Sequence, residues 1–87
     1  MKLSDQDKRQ RGIDADALLK APLIIEAFAR LETATVDRIA GSDRTDIAAM
    51  RALMERLRVI RDLKQELITI RTDGEEIKYR QEREANQ

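Results

Sequence analysis

The chain has 87 residues, 17 basic and 17 acidic, and a formal net charge of zero. It has no Cys, no His and no Trp, so disulfides, thiolate or imidazole metal sites, and Ser-His or Cys-His nucleophile pairs are all excluded. A chain this short makes one small domain whose core must be aliphatic, because aromatic residues are only 2% of the total.

In chain order, residues 1–12 are polar and lack apolar periodicity, so they are expected to form a tail. Asp14 or Asp16 can cap a short helical turn over about 14–20 that carries Ala17, Leu18 and Leu19. Pro22 disfavours helical geometry at Ala21 and suits the first position of a new helix, which places a break near Lys20–Ala21.

The next predicted helix spans about 22–40. Ile24, Phe28, Leu31, Thr35 and Ile39 recur every three or four residues and define one face. Leu23, Ile25, Ala27 and Val36 widen it, so this helix must touch neighbours on more than one side. Gly41 is expected to end it as a left-handed C′ residue. Ser42, Asp43 and Thr45 then offer capping side chains for a long helix over about 44–72, which Gly74 should terminate. A connection this short makes the two helices an antiparallel hairpin. Residues 75–87 are read as a charged, solvated and partly helical C-terminal tail, with anchoring on a partner through Ile77 and Tyr79 as the alternative. The predicted fold is therefore all-α: one helical-hairpin domain over 13–74 between polar tails.

The long helix carries Ile47, Met50, Leu53, Met54, Leu57, Ile60, Leu63, Leu67 and Ile70. The second half follows a heptad-like spacing, and the stripe drifts round the helix between its halves. At ~1.5 Å per residue, this helix is roughly 40–45 Å long and its partner roughly 28 Å. More than a turn overhangs, and leaving large aliphatics in water forgoes about 1.5–3 kcal/mol each. Leu53, Ile60, Leu63, Leu67 and Ile70 are therefore the candidate partner and oligomer interface. Local covering by the Leu18–Leu19 turn is expected to combine with a homo-oligomeric, coiled-coil-like seam.

From Arg44 to Thr72 there are seven basic and four acidic residues. Arg51–Glu55 and Arg58–Asp62 are spaced for i,i+4 ion pairs, and Glu55–Arg58 for an i,i+3 pair. Arg56, Arg61 and Lys64 lack such obvious compensation and are the candidate contacts to phosphate or an acidic partner. A balanced net charge ranks nucleic acid below protein as a partner. The acidic pairs Asp5/Asp7, Asp14/Asp16, Asp43/Asp46 and Glu75/Glu76 read as caps or tail charges, and no glycine-rich phosphate loop is present. No catalytic residue, cofactor site or metal site is expected. No segment reads as a signal peptide or a membrane span, so the expected compartment is cytoplasmic.

LLKAPLIIEAFARLE, a polar break, and RALMERLRVIRDLKQEL running toward a glycine together span residues 18–74. With its Leu18-Leu19-x-x-Pro22 start, its Ala27-Phe28 step and its Leu/Arg-rich long helix, this arrangement resembles small helical proteins of tailed-bacteriophage morphogenesis modules. It departs from their pattern at Ala21, where Asn is expected, and in lacking a Trp after the first helix. The resemblance implies a non-enzymatic head or packaging accessory protein that oligomerises and binds another phage structural protein, in host cytoplasm or virion. The alternatives are a DNA-binding packaging or regulatory factor, and a phage-encoded inhibitor or adaptor of a host protein.

Overall fold

A computed structural model describes residues 2–86, and within them the chain is all-helical: α1 (Asp5–Lys20), α2 (Pro22–Ala40) and α3 (Ile47–Ala85). None of these helices is long and apolar enough to cross a membrane.

The N-terminal segment is helical from Asp5, and not the expected tail followed by a turn at 14–20. Ser4 is extended and caps the helix, its Oγ accepting the Asp7 N–H at 3.1 Å. Asp5 and Asp7 then place negative charge where the helix dipole favours it. Apolar periodicity is a poor guide here because the covered positions of α1 are Lys8, Arg9, Gly12, Ala15, Asp16 and Leu19, which lie on one face but are mostly small or polar. The expected break does occur: Ala21 is extended, and its N–H donates to the Leu18 carbonyl at 3.1 Å.

α2 begins at Pro22 and ends at Ala40, as its spacing predicts. Its ending differs in detail, because no glycine among the described residues has a positive φ. Gly41 therefore supplies no left-handed cap. Instead its N–H continues the helical pattern to the Asp37 carbonyl at 3.0 Å, and the Ser42 hydroxyl donates to the Arg38 carbonyl at 2.6 Å. In the connection, Asp43 Oδ1 accepts the Thr45 N–H at 2.9 Å and the Thr45 hydroxyl at 2.7 Å. Asp46 rather than an earlier residue caps α3, its Oδ1 accepting the Ala49 N–H at 3.1 Å.

Gly74 does not terminate α3: the helix does not stop near 72 but runs 39 residues to Ala85, so the predicted C-terminal tail is mostly helix. A mid-helix glycine costs about 1 kcal/mol relative to alanine, and the contact it makes with α1 accounts for its presence.

The chain forms two compact units, residues 1–21 with 65–87 and residues 22–64. In the first, Asp5 meets Arg80, Gly12 meets Gly74 and Asp16 meets Arg71 at 3.9 Å. One number rises as the other falls, so α1 and the C-terminal half of α3 run antiparallel. A Cβ built on Gly74 would lie 2.8 Å from the Gly12 Cα and 3.0 Å from the Lys8 carbonyl oxygen. One built on Gly12 would lie 2.9 Å from the Gly74 Cα. Real Cβ atoms do not approach backbone this closely, so the two helices touch through paired glycines. Ala15 and Ile77, 3% and 7% exposed, are buried in the same unit. Arg9 adds a 2.8 Å hydrogen bond to Gln81 Oε1. At Leu67 and Ile70 α3 is thus covered by the chain itself, through a whole helix that includes Leu18 and Leu19, whereas Leu63 stays exposed.

The second unit holds α2, the connection and the first part of α3. Its buried residues are Thr35, 2% exposed, and Ile60, 9% exposed. Thr35 tolerates burial because its hydroxyl donates to the Leu31 carbonyl one turn back, at 2.7 Å. Ile24, Phe28 and Ile39 of α2, and Met50, Leu53 and Leu57 of α3, are half-buried.

Candidate interaction surface

The five aliphatics expected at the interface separate once folded. Ile60 is buried, Leu53, Leu67 and Ile70 are half-buried, and only Leu63 is exposed. Most of that seam therefore faces its own chain. The drift of the stripe along α3 is resolved unit by unit. Met50, Leu53, Leu57 and Ile60 are covered in one unit, and Leu67, Ile70, Gly74 and Ile77 in the other.

The exposed apolar surface lies elsewhere. Among the described residues eleven large apolar side chains are exposed, and eight of these belong to residues 22–64: Leu23, Ile25, Leu31, Val36, Ile47, Met54, Val59 and Leu63. They range from 43% to 77% exposed. A helix pair has one mutual face, and Thr35 and Ile60 occupy it. The remaining aliphatics flank that face on both helices and are left uncovered by the described residues. The signal was present in the sequence, since α2 is apolar around more of its circumference than one neighbour can cover.

Arg56, Arg61 and Lys64 are all exposed. Among the described residues, none of them joins an ion pair. Of the pairs expected on α3, Arg58–Asp62 forms at 3.8 Å, whereas neither Arg51 nor Glu55 takes part in a bridge. Side chains this exposed gain little from pairing, because water screens the charges and long side chains lose freedom. Arg51 and Glu55 are therefore both left free, which adds one charge of each sign to the exposed surface of α3 and leaves its net charge unchanged.

No known protein family, curated protein or solved structure matches this chain. The chemistry of its surface must therefore speak from its own residues. A concavity of about 640 Å³ is an open groove in the first unit. Its lining mixes Asp5, Asp73 and Glu76 with Lys8, Arg80 and Arg83. These neutralise one another and bring no nucleophile beside a base. The described residues contain no grouping of His, Cys, Asp or Glu able to hold a metal ion. One carboxyl is perturbed: the Thr45 backbone N–H, then the Thr45 hydroxyl, hold Asp43 below its ordinary value of 3.8. That carboxylate closes the connection between α2 and α3, which is a structural duty.

Proposed function

We propose that this chain is a non-enzymatic protein-interaction module in which α2 and the first part of α3 form an antiparallel helical hairpin that oligomerises and docks on another protein. The observation that supports this reading most strongly is the set of eight exposed aliphatics on residues 22–64. Large aliphatics left exposed on both flanks of a small helical unit are the usual mark of a surface completed by a partner. The hairpin follows from the short connection between α2 and α3. In keeping with the resemblance to phage morphogenesis proteins, the partner is a head, portal or packaging protein, and the setting is host cytoplasm or virion. Affinity capture of the full chain from phage-infected cells tests this. Retention of a virion or packaging protein supports it, and retention of a host protein alone moves the chain to the inhibitor or adaptor class.

A second reading is favoured by the unpaired Arg51, Arg56, Arg61 and Lys64 on α3. These could neutralise phosphates of DNA handled during packaging. Binding to duplex DNA that weakens steeply with salt, and weakens further in Arg56→Ala/Arg61→Ala/Lys64→Ala, carries this reading. Absence of binding in low salt removes it.

A further inference from the structure

Residues 22–64 carry two exposed stripes whose chemistry is matched. On α2, Ile25, Ala29, Glu32 and Val36 are spaced by four, three and four residues, and all but the half-buried Glu32 are exposed. On α3, Ile47, Arg51, Met54, Arg58 and Arg61 repeat that spacing, and all are exposed. These are second stripes, additional to the ones centred on Thr35 and Ile60. At about 100° per residue, the α2 stripe stands roughly 60–120° round from Thr35. The α3 stripe stands roughly 100–180° round from Ile60 in the same rotational sense. In an antiparallel pair the same sense means the same side, so both stripes open onto one face of the hairpin. Half-buried Met50 and Leu57 join that face to the inner core.

The charges on this face are segregated by helix. The α2 side carries Glu32, with Glu26 and Asp37 at its outer margin, and no base within the stripe. The α3 side carries Arg51, Arg58 and Arg61, with Lys64 toward the core, Glu55 and Asp62 at its outer margin, and no acid within the stripe. The intrachain pairs at the margins, Glu26–Arg30 and Arg58–Asp62, are both 3.8 Å and exposed, so they leave these charges free to exchange partners.

We infer that the occupant of this face is a second copy of the same chain. The inference rests on the oligomerising-hairpin reading above and assigns the surface it uses. A face with an acidic-apolar edge and a basic-apolar edge is complementary to itself after a two-fold rotation. A two-fold axis parallel to the helices lays α2 of each protomer on α3 of its partner. Because this axis preserves height along the helices, Val36 then meets the partner's Ile47 and Met54, Glu32 lies between the partner's Met54 and Arg58, and Ile25 lies against the aliphatic stems of the partner's Arg58 and Arg61. The alternative two-fold, with α2 on α2, opposes Glu32 to itself and arginine to arginine, and like charges reject it. The product is a four-helix bundle in which four hairpin stripes make the second half of a core that one copy leaves incomplete.

Sedimentation equilibrium on the full chain tests this, with circular dichroism confirming that each variant keeps its helices. The wild type is expected at about twice 10.0 kDa. Val36→Lys and Met54→Glu each set a charge against its own sign across the face, and each is expected to weaken the dimer by about tenfold or more. Leu23→Glu and Val59→Glu, on the opposite flank, should leave it intact. Glu32→Lys and Arg58→Glu should each weaken it, and combining them should restore it. A wild type that sediments at 10.0 kDa overturns the inference and leaves the interaction module to a different partner. A dimer broken by Leu23→Glu and Val59→Glu but not by Val36→Lys and Met54→Glu overturns the assigned face while oligomerisation stands.

Discussion

Replacing Gly74 by alanine is expected to destabilise the chain, although the same change in an ordinary exposed helix would stabilise it. In favour of alanine stands helix propensity, about 1 kcal/mol. Against it stands contact with backbone. The new Cβ would lie 2.8 Å from the Gly12 Cα, 3.0 Å from the Lys8 carbonyl oxygen and 3.3 Å from the Gly12 nitrogen. Carbon atoms pack best at about 3.5–4.0 Å, so α1 must retreat by roughly 1 Å. None of the three atoms is a flexible side-chain end that could swing away. Overpacking of this kind costs about 1–3 kcal/mol, and here the upper end applies because retreat of α1 also loosens Ala15 and Ile77. The net expectation is a loss of about 2 kcal/mol. Urea unfolding followed by circular dichroism measures the loss, and amide exchange along α1 localises it. Gly41→Ala is the control, since its Cβ would meet only the Asp37 carbonyl oxygen, at 3.4 Å. A Gly74→Ala protein more stable than wild type by about the propensity term would refute the paired-glycine contact between α1 and α3.

Ile77→Ala should cost roughly 2–3 kcal/mol, near the low end for a buried isoleucine because the surrounding unit is small and can partly close the cavity; the urea midpoint reads it. Asp5→Ala removes the bridge to Arg80, but both side chains are half exposed, so the loss should stay below about 1 kcal/mol and shrink further as salt is added. Asp43→Ala should lower the thermal midpoint only where the carboxylate is charged. Its folded value is depressed, so its contribution is fully present above the ordinary 3.8 and disappears as pH falls through the lower folded value. Thermal melts of wild type and variant should therefore converge in acid; a gap that persists at the lowest pH would show that the Thr45 contacts do not act through the charge.

Amino-acid order alone determined what is decided within one helical turn. Pro22 and the residue before it set the break between α1 and α2, because proline's ring excludes helical geometry at Ala21. Aliphatic spacing over Ile24, Phe28, Thr35 and Ile39 set α2 and its inner face, and the excess of apolar residues on that helix announced a surface needing cover. The Ser4 cap does not stand out in the sequence, where residues 1–12 read as a tail, because the helix after it has no large apolar stripe to draw attention to it. Only the tertiary structure decided the roles of Gly12 and Gly74. A glycine in a sequence reads as a stop, because alone it weakens a helix. Two glycines brought together by distant parts of the chain allow a backbone contact that no other residue permits, and packing then carries α3 through Gly74. The same physics redirected the candidate interface. Burial of Ile60 depends on which neighbour arrives first, and its own chain does; the aliphatics left over, Ile25, Val36, Ile47 and Met54, are recognisable as a surface only after the inner face has been filled.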